Sequence, residues 1–270
     1  MTAAEPRTDG RHVRVALDGA VAHVVLDRPE ASNAMDVPFL RDLYDELMWV
    51  HGEPRVRAVL LSGNGPNFCA GGDIKTFAAQ GAALPDYLRE ATTWLGNVAS
   101  ALIHLEAPVV TAVHGFAAGG GGFGLVCASD LVLAAESARF LLGATRVGMA
   151  PDAGGTVTLA KIVGLRKAME LALLNPTLSA TEALELGLVN RVVPDDQLLD
   201  EAWALARQLA RSATRALAAT KRMLWDGLAA GVDARLPEES RTVSELSGTH
   251  DAREGLTAVI EKRQPDFEGR

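Results

Sequence analysis

Four consecutive glycines at residues 119–122 are the part of this sequence whose composition and spacing point most directly to chemistry. An apolar, β-branched run at residues 109–113 precedes them and an apolar segment follows, so the pattern predicts a strand, a tight turn and a helix. Consecutive glycines cost backbone entropy, and they are expected where another group approaches the backbone closely. Because the first N–H groups of a helix lack internal acceptors and carry partial positive charge, this turn is predicted to bind negative charge.

Two common functions of such a turn fit the sequence poorly. Gly119, Gly121 and Gly124 match the GxGxxG pattern of dinucleotide binding, and Glu136 lies near the place of a ribose-binding acid. The next strand is predicted from Asp130, however, which leaves too few residues for the helix of a βαβ crossover. An esterase-type oxyanion loop would require a downstream Gly-x-Ser-x-Gly motif, which the sequence lacks.

A third function is an oxyanion hole for a thioester, in which backbone N–H groups of two separate loops bind one oxygen while an enolate forms. It requires a second glycine-rich turn after a strand. Residues 58–61 are a continuous apolar run, and the glycines at residues 71–72 follow shortly after it. The sequence therefore favours an oxyanion hole over the other two functions.

These turns belong to a set of segments that closely resembles the crotonase family, the enoyl-CoA hydratase/isomerase superfamily. The pattern is most similar to enoyl-CoA isomerases of the phenylacetate-pathway type. The resemblance extends from about residue 12 to residue 268, nearly the whole chain. The segments are RPEASNA from Arg28, FCAGGDIK from Phe68, PVVTAVHG from Pro108 with the glycine run, GMAPDAGG from Gly148, and REGLTAVIEKR from Arg253.

The resemblance implies an α/β fold, a crotonase-like spiral of ββα units with a C-terminal all-helical region. Residues 1–10 are polar and are expected to be disordered. Residues 11–194 would form the spiral core with the CoA site. A shift in composition at about residue 195 opens a helical region, residues 195–270. In the resembled family such helices form trimer contacts, so a homotrimer or a dimer of trimers is expected.

Local patterns place several elements within this division. Residues 13–26 predict a hairpin, and Asp36 is predicted to cap the helix that follows. A short extended piece is expected near Arg146. Ser179 begins the pattern of a capping box, which predicts another helix start.

The resemblance also implies which N–H groups form the oxyanion hole. One donor belongs to the residue before the Asp-Ile-Lys segment, which is Gly72. The other belongs to the second glycine of the central run, and this loop is one residue longer than the usual pattern. Counting back from Asp130 gives Gly121, and counting forward from Gly115 gives Gly120. We predict Gly121, with Gly120 as the alternative, because the segment after the glycines aligns without a gap.

Hydratases of the resembled family use two glutamates to add water across the double bond. Their positions correspond to Gly124, or to Phe123 when counted forward, and to Ala144, so neither carries a carboxylate here. A glycine and an alanine can neither orient water nor transfer a proton. Hydration by the usual mechanism is therefore disfavoured.

Asp152 is the predicted catalytic residue. In relatives this position carries the acid of certain enoyl-CoA isomerases and the nucleophile of chlorobenzoyl-CoA dehalogenase, and proton transfer is favoured here because no tryptophan-lined pocket is recognisable. One carboxylate suits the movement of a double bond, taking a proton from C2 of a 3-enoyl thioester and returning one at C4. Neighbouring Val147, Met149 and Ala150 could raise its pKa by desolvation. Alternatively, Asp152 caps a helix that begins at Gly154.

The resemblance further implies that CoA is held near both loops and by one residue of the tail. Lone lysines are usually solvated surface charges, and Asp73 and Asp130 are also expected to stabilise their own loops. The predicted CoA-binding residues are Arg28, Ala31, Ser32, Ala70, Gly72, Asp73, Ile74, Lys75 and Lys262.

Composition argues against several other functions. The 270-residue chain has a net charge of −8, which disfavours general binding to nucleic acid or to anionic membranes. Cys69 and Cys127 are the only cysteines and lack metal-ligand spacing, so we expect no metal and no redox cofactor, with CoA present only as part of the substrate. Neither a signal peptide nor a membrane span is recognisable, and a cytoplasmic location is expected.

Together these observations predict an enoyl-CoA isomerase that uses an acyl-CoA thioester as its substrate and acts through Asp152. An enoyl-CoA hydratase with a substitute acid is the alternative among enzymes. A CoA-ester-binding protein without turnover is the alternative from another class, and there Asp152 would be only a helix cap.

Overall fold

The computed structural model describes Glu5–Pro6 and residues 12–270. In this part of the chain, strands form a sheet of seven and a sheet of three. The strands are β1 (Glu5–Pro6), β2 (Val13–Asp18), β3 (Val21–Leu26), β4 (Ala58–Gly63), β5 (Val109–Val113), β6 (Phe116–Ala118), β7 (Leu131–Ala135), β8 (Arg139–Leu141), β9 (Leu178–Ser179) and β10 (Arg191–Val193). The predicted disorder of residues 1–10 lies outside the described residues, apart from β1, which pairs with β2.

The larger sheet has the strand order β1-β2-β3-β4-β5-β7-β10. β2 and β3 form the predicted antiparallel hairpin, and every pair from β3 onward is parallel. Leu61 of β4, for example, lies between Val24 of β3 and Thr111 of β5. Both β4 and β5 are buried almost throughout, which explains their continuous apolar sequence. Their carboxyl ends meet at one edge of the sheet, where both glycine-rich turns begin.

Eleven helices of the described residues cover this sheet and form the C-terminal part of the chain. The first, α1, begins after Asp36, whose carboxylate accepts a hydrogen bond from the N–H of Phe39 as predicted. The helices are α1 (Val37–Gly52), α2 (Ile74–Ala79), α3 (Leu84–His104), α4 (Gly119–Cys127), α5 (Gly155–Val163), α6 (Leu165–Leu174), α7 (Ala180–Glu185), α8 (Leu198–Ala210), α9 (Thr214–Gly227), α10 (Val232–Ser247) and α11 (His250–Glu261).

The smaller sheet, β6-β8-β9, produces the repeated strand pairs of the fold. After β5 the chain adds β6 to this sheet and enters α4, and after β7 it adds β8 and continues towards α5. The predicted α/β spiral of ββα units is therefore confirmed. The predicted capping box is also present, because the Ser179 hydroxyl and the Glu182 carboxylate each accept a hydrogen bond from the other's backbone N–H before α7.

The chain after residue 195 is helical, as the sequence predicted. Its first long helix, α8, buries Ala202 and Ala206 and packs against β4 and β5 of the larger sheet. Trp203 of the same helix meets the ring of His23 edge-on, with 5.0 Å between ring centroids. Small side chains on α8 thus let this helix lie close to the sheet.

Two local predictions are wrong. The four glycines begin α4, directly after β6, and do not form a turn before the helix. The segment near Arg146 is a turn of 3-10 helix, Ala144–Val147, and not an extended piece. It is bounded by Gly143 and Gly148, both with positive φ, which reverse the chain direction at each end. The Thr145 hydroxyl also donates to the carbonyl of Ala172, which fixes the turn against α6.

Candidate active site

A cavity of about 450 Å³ lies where the two glycine-rich turns meet α3 and the segment between β8 and α5. Most of its wall is apolar. Among the predicted site residues, it brings together Ala70, Gly72, Ile74, Gly120, Gly121 and Asp152.

Gly72, in the first turn, lines this cavity. Met35 pairs with Gly72 in an isolated parallel bridge, donating to the carbonyl of Gly71 and accepting from the N–H of Asp73. In such a bridge the residue between the two bonds points its own N–H away from the partner strand. The N–H of Gly72 is therefore free to face another acceptor, as an oxyanion donor requires.

The second turn is the start of α4. Its first residue, Gly119, has a φ of +61°, and a Cβ there would stand 3.2 Å from the Cα of Gly71 and 3.8 Å from the N of Gly72. The two turns thus touch, and only a glycine allows this approach. Gly120 and Gly121 occupy the first turn of α4, where N–H groups lack acceptors within the helix. The assignment of the second donor to Gly121, with Gly120 as the alternative, stays a prediction.

Asp152 lies directly over the start of α4. Its Oδ1 is 1.7 Å, and its Cγ 2.7 Å, from the position that a Cβ on Gly120 would occupy. It is the only carboxylate among the described residues that line the cavity. Burial raises the pKa of this carboxyl above its usual value, and a hydrogen bond from its own backbone N–H opposes that rise only in part. A raised pKa makes this carboxylate a stronger base than an exposed aspartate.

The interpretation of Asp152 as a helix cap is wrong. The cap of α5 is Gly154, which has a φ of +73° and makes no side-chain capping bond. Asp152 contributes only its backbone carbonyl, which accepts from the N–H of Gly155 at 2.8 Å. Its side chain is thus available to the cavity.

The two positions of the missing glutamates are also visible. Ala144 lines the cavity, and Gly124 is buried within α4, where an added Cβ would stand 2.8 Å from that of Ala153. Neither position offers a carboxylate. Packing against Ala153 also leaves no room for a longer side chain at Gly124 without movement of the segment that carries Asp152.

Comparison with known proteins agrees with this geometry. The sequence model of the Enoyl-CoA hydratase/isomerase family matches residues 17–270. The chain belongs to this family, the crotonase superfamily. Relatives include a protein of Rhodobacter capsulatus named "Probable enoyl-CoA hydratase", 40% identical with 96% of this chain and 98% of the relative covered. The 1,2-epoxyphenylacetyl-CoA isomerase of Escherichia coli is 36% identical, with 94% and 97% covered.

Solved structures of the family share the fold. The crystal structure of an enoyl-CoA hydratase from Bacillus anthracis superposes with a TM-score of 0.90 at 31% identity, covering 96% of this chain and all of that chain. The relatives carry both hydratase and isomerase names. Membership of the crotonase superfamily therefore establishes an enzyme of the enoyl-CoA hydratase/isomerase family, and the choice of reaction depends on the residues of this site.

Two predicted CoA-binding residues are paired with each other in this crotonase. The guanidinium of Arg28 lies 3.0 Å from the carboxylate of Asp73 and 3.3 Å from that of Asp36, and it donates to the carbonyl of Ala34. Asp73 also caps α2 by accepting from the N–H of Thr76. Through these contacts both side chains stabilise the first turn. Their contact with CoA stays a prediction.

The remaining predicted CoA-binding residues are spread over three places. Ala31 ends a 3-10 turn, and the Ser32 carbonyl accepts from the N–H of Ala70 at 3.0 Å. Ile74 is 53% exposed at the edge of the cavity, and Lys75 is exposed beside it in α2. Lys262 follows α11 and does not line this cavity within the chain.

Sequence reasoning missed Asn33, which joins the turn after β3 to the loop that follows β4. It is fully buried, its Oδ1 accepts from the N–H of Arg28, and its Nδ2 donates to the carbonyls of Asn64, Asn67 and Phe68. Its φ is +54°, a conformation that asparagine tolerates better than most residues. An asparagine inside the Pro-Glu-Ala-Ser-Asn turn was the available signal.

Several other residues near the two turns have structural roles. The Nε2–H of His114 donates to the carbonyl of Gly65, with 2.8 Å between the nitrogen and the oxygen. The carboxylate of Asp130 accepts from the N–H of Val109 and pairs with Lys221 at 2.7 Å. Cys69 is buried, and burial raises its pKa to about 12, so it is an unreactive packing residue.

Two features are absent from the described residues. None of their helices is long and apolar enough to cross a membrane. Nor does any group of three or more His, Cys, Asp or Glu side chains among them have the arrangement of a metal site.

Proposed function

We propose that this crotonase is an enoyl-CoA isomerase in which Asp152 moves a double bond of an acyl-CoA by proton transfer. The observation that carries the proposal is the position of Asp152, the sole carboxylate lining the cavity in the described part of the chain, directly over Gly120 at the start of α4. A substrate held there has one acid–base group beside it and two backbone turns around its thioester oxygen.

The reaction follows from these groups. The Asp152 carboxylate removes a proton from C2 of a 3-enoyl thioester, and the electrons of that C–H bond pass into a dienolate. The N–H groups of Gly72 and Gly121, with Gly120 as the alternative, stabilise the negative oxygen. The protonated Asp152 then returns the proton at C4, which gives the 2-enoyl thioester. An apolar wall supports both halves because it raises the basicity of the carboxylate.

The alternative reaction, hydration of a 2-enoyl thioester, is favoured by the name of the Rhodobacter capsulatus relative. It needs groups that orient a water molecule and deliver a proton. The cavity wall has Ala144 at one of the two positions expected to provide them, and Gly124 stands at the other. Asp152 alone would have to serve both purposes, which makes isomerisation the better supported reaction.

The proposal includes the recognition of CoA and an assembly of several chains. Ala31, Ser32, Ala70 and Ile74 would contact the adenine and pantetheine, while Lys75 would bind phosphate as a point charge. The tail exposes many large apolar side chains, which is typical of an interface between subunits. They include Leu224, Val232, Leu236, Val243, Leu256, Val259 and Ile260.

A homotrimer or a dimer of trimers would cover these side chains. Lys262 lies just after this exposed part of α11, so association would carry it towards the CoA of a neighbouring subunit. Light scattering on the purified protein measures the assembly directly. A monomer in solution at working concentration would exclude this part of the proposal.

The experiment that tests the reaction uses deuterated water. A 3-enoyl-CoA and, separately, a 2-enoyl-CoA are incubated with the protein, and mass spectrometry follows deuterium at C2 and C4 together with any 3-hydroxyacyl product. Double-bond migration with deuterium uptake and little hydroxyacyl-CoA is the expected result. Hydroxyacyl-CoA formed as fast as the isomer would overturn it.

The same experiment with Asp152→Asn separates an enzyme from a CoA-ester-binding protein. The isomerase mechanism requires that exchange at C2 disappears while the affinity for acyl-CoA persists. A binding protein would show no exchange with either form of the chain.

A further inference from the structure

Leu95 of α3 meets Asp152 across the start of α4. The side chain is only 6% exposed, and its Cδ2 lies 3.0 Å from the position that a Cβ on Gly120 would occupy. The Oδ1 of Asp152 approaches that same position to 1.7 Å. Leu95 and Asp152 therefore both lie over Gly120, and a methyl group of the one is close to the carboxylate of the other.

The other side chains that line the cavity from α3 and from residues 141–150 are apolar, except Thr92 and Arg146. From α3, Thr92 also faces the cavity, but its hydroxyl donates to the backbone carbonyls of Leu88 and Arg89. From the segment before Asp152, Val147 and Met149 line the wall. Leu95 thus belongs to an apolar surface that extends around the carboxyl.

Only one other titratable side chain lines the cavity among the described residues. This is Arg146, whose guanidinium donates to the backbone carbonyl of Asn175. The remaining charge that faces Asp152 is the partial positive charge of the α4 N-terminus at Gly120, which by itself favours the carboxylate. Burial raises the pKa of Asp152, and a hydrogen bond from its own backbone N–H opposes that rise in part.

We propose that Leu95 is a positioning residue that selects proton transfer over water addition, because its δ-methyl group occupies the side of the Asp152 carboxyl from which water would otherwise approach the substrate. The inference rests on the proposed isomerase function and deepens it. It assigns the choice between isomerisation through a dienolate and water addition to a 2-enoyl thioester to an apolar side chain that has no acid–base chemistry of its own.

Isomerisation and hydration therefore place different requirements on this site. Asp152 needs contact with C2 and C4 of the acyl chain, whereas hydration also needs a water molecule held against the same face. A polar side chain of similar size at position 95 would hydrogen-bond a water molecule. That water would in turn donate a hydrogen bond to the Asp152 carboxylate. The carboxylate would then be better solvated, and water would stand beside the double bond.

Leu95→Asn introduces the polar group, and Leu95→Met is the matched apolar control of similar volume. The first readout is the ratio of 3-hydroxyacyl to isomerised product. The second is the pH dependence of isomerisation. Leu95→Asn is expected to raise the product ratio about tenfold or more, and to move the acid limb of the rate profile to lower pH, because a solvated carboxylate loses its proton more readily. Leu95→Met is expected to resemble the wild type in both.

A third readout does not depend on turnover. The protonated carboxyl of Asp152 has an infrared band that Asp152→Asn identifies by its loss, and its titration in the substrate-free protein reports the solvation of this group. If the wild type fails to isomerise, the proposed function fails, yet the titration still tests Leu95. An unchanged titration midpoint and an unchanged product ratio in folded Leu95→Asn would overturn the inference about Leu95 alone.

Leu95→Thr serves if Leu95→Asn does not fold. Threonine is smaller than the leucine that it replaces, and it carries a hydroxyl where asparagine carries an amide. Thermal unfolding and binding of a saturated acyl-CoA establish that each variant is folded. A shift of the titration to lower pH in Leu95→Thr but not in Leu95→Met supports the inference, and equal behaviour of the two overturns it.

Discussion

The carboxylate of Asp152 occupies the space that any side chain on Gly120 would need, with its Oδ1 1.7 Å from the Cβ position. The glycine and the acid are thirty-two positions apart in the sequence and belong to different parts of the spiral. Their contact explains why the first turn of α4 must lack a side chain at this position even though the backbone there has an ordinary helical conformation.

Gly120→Ala is therefore expected to separate activity from stability. The methyl group must displace Asp152, and a misplacement of about 1 Å lowers the rate of isomerisation about a hundredfold. Alanine is a better helix former than glycine by about 1 kcal/mol, which offsets part of the clash in the folded state. Turnover of a 3-enoyl-CoA and the melting temperature are measured together.

Gly96→Ala is the control for this substitution. Gly96 also lies within a helix, and a Cβ there meets no heavy atom within 4 Å. It is expected to raise stability by about 1 kcal/mol without affecting the rate. A Gly120→Ala variant with wild-type turnover would contradict the position of the acid.

Asp152→Asn is expected to stabilise the protein while abolishing its activity. Burial raises the pKa of Asp152 above its ordinary value of 3.8, so the folded chain holds this proton more tightly than the unfolded chain. Stability is therefore lost as the pH rises from the unfolded value through the folded value, where the buried carboxyl must ionise. The amide avoids this cost, and isomerisation falls at least about a hundredfold because no base remains.

Thermal unfolding at several pH values measures the stability difference between Asp152→Asn and the wild type. The variant is expected to melt higher at neutral pH, and the two curves should converge below about pH 4. A difference of 1 kcal/mol would move the melting temperature by about 2 to 4 °C in a chain of this length. Equal melting temperatures at neutral pH would show that the carboxyl ionises without cost.

Among the polar residues near the first glycine-rich turn, Asn33 is expected to cost the most unfolding free energy when it is replaced. Asn33→Ala leaves the N–H of Arg28 and three carbonyls without their partner, at a cost on the order of 3 to 5 kcal/mol of unfolding free energy. Asn33→Gly loses the same bonds but keeps the positive φ, so it should cost less. Urea denaturation measures both changes.

Asn97→Ala provides the comparison, because Asn97 is exposed on α3 and should change stability by less than about 0.5 kcal/mol. A similarly small change in Asn33→Ala would mean that water replaces the amide at no cost. Equal losses in the alanine and glycine variants would instead assign the whole effect to the hydrogen bonds.

The sequence could predict those parts of the fold and site that depend on neighbouring residues. The cap at Asp36 and the capping box at Ser179 follow from local backbone chemistry, whereas the four glycines begin α4 instead of forming a turn before it. Asp130 could be recognised as structural for the same reason. Its partner Lys221 could not, because the ion pair joins residues that only the folded chain brings together.

The site shows the same limit. The sequence could place Asp152 after an apolar segment, but it gave no means to see that Leu95 and Gly120 bound its carboxyl. The extended piece expected near Arg146 was wrong for a related reason, since the contact of Thr145 with the end of α6 decides that conformation. Patterns of a few residues cannot report contacts between distant segments.

Arg28 provides the last prediction, because its contacts and its expected role as a CoA ligand differ in their consequences. Its guanidinium pairs with Asp36 and Asp73. These two residues directly follow Met35 and Gly72, which form the bridge between the two segments. Loss of the guanidinium in Arg28→Met should loosen this turn and misplace the N–H of Gly72. The expected result is a fall in kcat of about tenfold to a hundredfold, part of the effect of losing an oxyanion donor.

Calorimetric titration with free CoA separates the two roles of Arg28. If the side chain supports the turn, the affinity for free CoA changes little while kcat falls. If it binds CoA, the affinity falls and kcat at saturating substrate persists. Arg41→Met is the control, since Arg41 pairs with Glu90 at an exposed position, and removal of such a pair costs at most about 1 kcal/mol. If Arg28→Met loses affinity for CoA and Arg41→Met does not, the guanidinium of Arg28 leaves its two carboxylates when CoA binds.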